Sequence, residues 1–118
     1  MKRDIFENFE AQFKKSTLTL VVLALLSEES MYAYDIERQA LRMSKQKYKM
    51  PLLYNTLNKL AEMGMVMEGE KVISEDNRLR IYYVITEKGL QHLEKLKSMY
   101  VELNCCIWPM VYGKNLDT

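Results

Sequence analysis

Apolar positions recur along the chain with a period that changes once. Residues 4–15 (DIFENFEAQFKK) put Ile5, Phe6, Phe9 and Phe13 broadly on one side of a helix, with Asp4 as its N-cap. Residues 17–28 (TLTLVVLALLSE) are apolar nearly all round, which predicts a second helix at the centre of the domain. Ser30 is the expected cap of a third helix over 31–43, where Ala33, Ile36, Ala40 and Met43 share a face. Residues 44–50 (SKQKYKM) form a basic connector. A fourth helix is expected over 51–63, with Pro51 in its first turn and Gly64 just past its end. The period then shortens to two. Residues 65–73 and 78–85 are β-rich, and Leu79, Ile81, Tyr83 and Ile85 alternate with Arg80, Tyr82 and Val84. Ser74-Glu75-Asp76-Asn77 supplies the turn of a hairpin with a charged tip.

Thr86 is the expected cap of a long last helix over 87–107, which Pro109 should end by restricting Trp108. The tail 112–118 is expected to fray. Leu93, Leu96, Tyr100, Leu103, Ile107 and Met110 repeat as an a/d heptad seam along that helix. Such a seam packs either on its own domain or on a partner chain. Because it runs on past a domain that already holds four helices, a second copy is the favoured partner. All three Phe residues lie in the first helix and need a cover too, so Phe6, Phe9 and Phe13 join the expected dimer interface with Leu93, Leu96, Tyr100, Leu103 and Ile107.

Setting the Phe-bearing helix aside, the order is helix, helix, helix, hairpin, helix. That is a winged helix-turn-helix, a mainly α fold with a small β-hairpin wing. Here it carries an extra N-terminal helix and a long C-terminal dimerisation helix. The expected division is a DNA-binding domain over 1–86 and a dimerisation helix with its tail over 87–118. Helix 51–63 takes the place of the recognition helix. At about 100° per residue, Leu53, Leu57, Leu60, Ala61 and Gly64 cluster on its buried side. Leu52, Asn55 and Lys59 lie opposite, flanked by Thr56 and Asn58, while Glu62 points outward at the far end. Asn reads adenine edges bidentately and Lys reaches guanine or phosphate, so this stripe suits a major groove.

Composition sharpens the picture where it is uneven. The chain has 118 residues, enough for one domain, and a formal net charge of only +1. Yet from Arg38 to Leu60 there are six basic residues (Arg38, Arg42, Lys45, Lys47, Lys49, Lys59) and no acidic one. The remainder is therefore net acidic. A solvated helix end plus a loop would account for the basic run, but an ordinary solvated face normally mixes in acidic residues. Lys47, Lys49, Asn55, Thr56, Asn58 and Lys59, with Arg78 and Arg80 on the hairpin, are the expected DNA contacts. The acidic tip of the hairpin, Glu75 and Asp76, instead favours a rival class, a winged-helix protein-interaction module without DNA binding.

Enzymatic chemistry has no support in the sequence. There is no Ser-His-Asp arrangement, no Gly-rich phosphate loop and no evidently buried carboxylate pair. His92 stands alone, without a second ligand at metal-binding spacing, so neither metal nor cofactor is expected. Cys105 and Cys106, adjacent in sequence, cannot staple distant segments, which fits a reducing cytoplasm. They read as small semi-apolar residues or, alternatively, as a redox switch lacking a nearby activating cation. Lys14 and Lys15 before the apolar run Leu18 to Leu26 mimic a signal peptide, but Asp4, Glu7 and Glu10 precede them and no cleavage site follows. That run would span roughly 14 Å as a helix, under half a bilayer core. No membrane partner is expected.

The sequence resembles the PadR-like family of transcriptional regulators. Leu18 to Leu26 matches the family's apolar helix, and Leu53-Tyr54-Asn55-Thr56-Leu57-Asn58-Lys59-Leu60-Ala61-Glu62-Met63-Gly64 matches its recognition helix. Tyr82-Tyr83-Val84-Ile85-Thr86-Glu87-Lys88-Gly89 matches its wing exit. Ala33-Tyr34 stands in place of the usual Gly-Tyr, and Pro51-Leu52 in place of a small residue and Thr. The family's paired basic residues before the aromatic pair are spaced here as Arg78 and Arg80. The resemblance implies a homodimeric, usually repressing regulator of double-stranded DNA; from a two-fold dimer whose recognition helices lie one helical turn apart, the expected operator is a near-palindrome. It also implies an effector, a small apolar, aromatic or phenolic ligand, bound between the paired last helices. Tyr100 stands where small multidrug-sensing members place an aromatic facing the ligand pore. Cys106 and Trp108 lie near it in sequence and complete the expected pocket.

Overall fold

A computed structural model describes residues 3–113. The element order is α1 (Ile5–Glu28), β1 (Met31–Tyr32), α2 (Ala33–Met43), α3 (Leu53–Glu62), β2 (Val66–Ile73), β3 (Leu79–Ile85) and α4 (Glu87–Tyr112). The two helices expected before residue 28 are one. Asp4 caps α1 as expected, its carboxylate accepting from Glu7 N at 2.7 Å. No break follows at Ser16 and Thr17. Both hydroxyls donate back to the Phe13 carbonyl, at 3.0 and 2.8 Å, so they satisfy themselves inside the helix.

Ser30 does not cap α2. The chain there forms the two-residue strand β1, and Tyr32 precedes the helix without a side-chain capping bond. The sheet order is β1-β3-β2, antiparallel throughout, with Met31 opposite Tyr83 and Val66 opposite Ile85. The hairpin register shifts between Glu68 and Lys71, and the turn over 74–77 closes with Asn77 in the left-handed region (φ 62°). Asn tolerates that conformation better than most residues.

The core is continuous through all these elements. Leu18, Val22, Leu23 and Leu26 of α1 meet Ile36 and Ala40 of α2, then Leu53, Leu57 and Leu60 of α3. Val66 and Tyr83 of the sheet close one side. Leu93 of α4, only 1% exposed, belongs to this core, and Leu96 packs against it half-buried. The first turns of the expected dimer seam are thus occupied by the chain itself, and Leu93 is not free to meet a partner.

From Lys97 to Gly113 every residue of the last helix and its cap is exposed. The helix also runs through Pro109 to Tyr112 instead of ending before it, and Gly113 N caps it on the Pro109 carbonyl at 2.8 Å. Proline costs a helix one hydrogen bond and strains the preceding turn, which an exposed arm absorbs by letting water reach the freed carbonyl. The frayed tail expected over 112–118 falls, beyond Gly113, outside the described residues. Two arms, the Phe-bearing start of α1 and the end of α4, extend the molecule to 55 × 38 × 24 Å.

Candidate nucleic-acid interface

The connector before α3 is held from below. Tyr48 hydroxyl reaches two acceptors on α1, Thr17 Oγ1 at 2.6 Å and the Lys14 carbonyl at 3.1 Å, between which its one proton is divided. Tyr48 N donates to Ser44 Oγ at 2.8 Å. Burial pushes the Tyr48 phenol above its ordinary pKa. Met50 plugs the core. Between these anchors Lys45 and Gln46 take positive φ (55° and 71°), which reverses the chain and leaves Lys47 and Lys49 exposed.

Helix α3 begins at Leu53, two residues later than expected, because Pro51 and Leu52 form a turn instead of its first helical residues. Leu53, Leu57 and Leu60 point into the core. Tyr54, Asn55, Asn58 and Lys59 are exposed, and Thr56 is half-buried. No acidic residue lies in the helix's first turn, so no carboxylate there competes for the N–H groups at its start.

The far end of α3 is fastened to the start of α4. Gly64 takes φ +76°, which ends the helix. Thr86 hydroxyl donates to the Gly64 carbonyl at 2.6 Å and accepts from Gly89 N at 3.1 Å. Thr86 N donates to the Met65 carbonyl at 3.0 Å, and Lys88 Nζ to that of Met63 at 2.7 Å. A β-carbon on Gly89 would stand 2.2 Å from Met65 O, so only glycine permits this approach.

The wing brings in residues that the sequence pattern did not single out as contacts. Arg80 lies 4.9 Å from the centroid of the Tyr34 ring and Arg38 lies 5.3 Å from it, a double cation–π arrangement between β3 and α2. Tyr34 and Tyr54 line a cleft of about 310 Å³ with Arg78, Arg80 and Asp76. Arg38 lay within the basic run and Tyr34 within the motif, one helical turn apart on α2, and the pairing of β1 with β3 brings Arg80 to them. Arg78 and Arg80 are not free: they pair with Asp76 at 3.5 and 3.8 Å. Ser74, donating to Asp76, holds that carboxyl below its ordinary pKa, and the charges of Arg80 and Arg78 add to this.

The remaining expected sites lie on the two arms. Phe6, Phe9 and Phe13 are exposed, as are Tyr100, Leu103 and Ile107, so two bare apolar faces stand ready on one chain. Tyr100, Leu103, Ile107 and Met110 share an arc of about 80° on α4. The expected effector residues do not converge within one chain. Cys106 and Trp108 fall on opposite flanks of that arc, about 160° apart, and Trp108 stacks on Tyr112 at 4.5 Å between ring centroids. His92 bonds the Lys88 carbonyl at 3.0 Å. Among the described residues no group of three or more His, Cys, Asp or Glu is arranged to hold a metal ion. Nor is any described helix long and apolar enough to cross a membrane.

Helices α1 to α3, a three-stranded sheet with its β2–β3 hairpin, and exposed basic residues around α3 define a winged helix-turn-helix protein, to which α4 is added. Residues 22–95 match the model of the transcriptional regulator PadR-like family, and the chain belongs to that family. It is 31% identical to a PadR-like transcription factor from Bacteroides fragilis, over 85% of this chain and 95% of that one, with a TM-score of 0.64. A PadR-like regulator from Bacillus cereus shares the fold at TM-score 0.70 and 22% identity, over 86% of this chain and 98% of that one. PadR of Bacillus subtilis, solved in complex with operator DNA, shares it at TM-score 0.59 and 23% identity, over 68% of this chain and 46% of that one. Among curated proteins, none matches.

Proposed function

We propose that this regulator binds double-stranded DNA as a homodimer, represses transcription, and is released by a small apolar or phenolic effector. The observation that carries the reading is the exposed face of α3. Asn55, Asn58 and Lys59 stand clear of the core, with exposed Lys49 in the cleft before the helix and Tyr54 sharing a second cleft with Arg78 and Arg80 of the wing. Thr56 is a minor contact, being half-buried. Tyr34, Tyr54 and Arg38 extend the contact toward the backbone between helix and wing, where hydroxyl and guanidinium donors suit phosphates. Residues 1–86 carry the DNA contacts and 87–118 the dimer contact, except that the first turns of α4, through Leu93 and Leu96, pack on the core instead. In the dimer, Phe6, Phe9 and Phe13 and the exposed seam of α4 cover each other's apolar faces. The two recognition helices then sit about 34 Å apart, facing a near-palindromic operator.

The test is fluorescence anisotropy of labelled duplex DNA from the region upstream of the protein's own gene, titrated with salt. Phosphate binding must weaken linearly on a log–log plot as salt rises. Absence of any salt-dependent binding overturns the reading in favour of the winged-helix protein-interaction module.

A further inference from the structure

Two clefts border the start of α3, and each is lined by a single carboxylate among the described residues. Beside the connector, a cleft of about 550 Å³ is lined by Arg3, Lys14, Lys15 and Lys49, with Glu10 as its one acid. Beside the wing, the cleft containing Tyr54, Arg78 and Arg80 has Asp76 as its one acid. Both carboxylates are engaged by the cations around them. Glu10 accepts from Lys14 Nζ at 2.8 Å, and Asp76 pairs with both wing arginines. The pKa of each is lowered. For Glu10 the Lys14 hydrogen bond leads, then the Lys14 charge, and the Lys47 charge reaches it as well.

The wing turn is built to hold Asp76 in place. Ser74 N donates to the Arg78 carbonyl at 2.9 Å, Asn77 N to the Ser74 carbonyl at 2.9 Å, and Ser74 hydroxyl to Asp76 itself. Arg80 therefore has three partners to divide between: Asp76, the face of Tyr34, and any anion that enters the cleft.

We propose that Asp76, and Glu10 beside the connector, are internal counter-ions that compete with DNA phosphates for the protein's own cations and so limit binding irrespective of sequence. This rests on the DNA-binding reading above. Docking a phosphate near Arg78, Arg80 or Lys14 requires the carboxylate to give up its cation. The exchange leaves base-edge contacts on α3 untouched and subtracts from the electrostatic term, which is the same for operator and random DNA. Self-shielding of this kind lowers operator and random affinity by the same factor, so it sets how tightly the protein holds any duplex and leaves discrimination to α3, in a chain whose basic run has no acidic residue of its own. The alternative is a scaffold role, in which Asp76 merely orients Arg80 for contact.

The two are separated by anisotropy on an upstream-region duplex and a random duplex of equal length, over about 50 to 300 mM salt. The variants are Asp76→Asn, which keeps an acceptor for Ser74, and Glu10→Gln. Glu75→Gln serves as a charge-matched control, because Glu75 makes none of the ion pairs found among the described residues. Asp76→Asn and Glu10→Gln should each bind the random duplex about three- to tenfold tighter at low salt, with a salt slope steeper by up to ~0.9 per freed cation. The upstream-region duplex should tighten by the same factor, so that the operator-to-random ratio stays within about twofold of wild type. Glu75→Gln should change binding less than about twofold. Weaker binding by Asp76→Asn establishes the scaffold role and overturns the proposal, as does an effect equal to that of Glu75→Gln. Wild-type protein that ignores both duplexes overturns the DNA reading itself, and the counter-ion proposal with it.

Discussion

A β-carbon on Gly89 would meet the Met65 carbonyl oxygen at 2.2 Å and Ile85 Cγ1 at 2.7 Å. Neither neighbour is the end of a flexible chain, so the backbone must move. Gly89→Ala should destabilise the fold by about 1–3 kcal/mol, the usual cost of overpacking, read as a lower urea midpoint. The same residue lies against the Thr86 bonds, so the variant should also loosen α3 from α4 and weaken DNA binding beyond the stability loss. An unchanged midpoint would show that the contact relaxes freely. On the DNA face the two residue types separate by readout. Lys49→Ala with Lys59→Ala should weaken all duplexes alike and flatten the salt slope by about one unit per phosphate contact. Asn55→Ala should relax base preference at one operator position, at about 1–3 kcal/mol for a lost bidentate contact. If the double lysine variant binds as wild type does, these side chains are misassigned.

At the scale of elements, the features legible in the sequence were those set by local chemistry. Asp4 and Thr86 cap where expected because an N-cap is a contact three residues long. The hairpin and its turn follow from alternation and from Asn77. Features set by distant partners were not legible. β1 is two residues long and exists only because β3 lies beside it. Arg80 of β3 reaches the Tyr34 and Arg38 pair of α2 through that same pairing. A heptad count cannot say where a seam leaves its own domain: Leu93 is core, Leu96 intermediate, and Tyr100 onward bare. The continuous α1 escaped because Ser16 and Thr17 read as a break when their hydroxyls in fact back-bond. The dimer prediction moves accordingly to the bare part of the seam. Leu103→Glu with Ile107→Glu should give a folded monomer, since both are exposed and outside the core. Analytical ultracentrifugation at micromolar concentration checks it: a wild-type monomer, or a dimer that tolerates both charges, removes α4 from the interface.

At the scale of the whole molecule, the geometry decides what form an effector site can take. One chain presents Tyr100 on the seam with Cys106 and Trp108 on opposite flanks, so no single α4 encloses a ligand. In the proposed dimer, two helices crossing at the seam would bring the flank of one against the flank of the other, and a flat guest would lie between side chains from both chains. A tight two-stranded seam prefers aliphatic residues, and Tyr100 with neighbouring Met side chains packs there with gaps that adapt to varied guests. The route from that guest to DNA is short. Thr86, Lys88 and Gly89 fasten the start of α4 to the end of α3, so in the proposed dimer a changed angle between paired α4 helices would become a changed spacing of recognition helices. A ligand achieves this only to the extent that it binds the two spacings with different affinity. Trp108 is the sole tryptophan and half-exposed, so its emission reports the site directly. Planar dyes or phenolic acids should quench or shift it saturably, with lower affinity in Tyr100→Ala, and the same compounds should weaken binding to the upstream duplex. Saturable quenching without any change in DNA affinity would mean that the site is real but uncoupled. If a broad set of such compounds leaves both signals unmoved, the seam is purely structural and the regulator answers to something other than a small aromatic molecule.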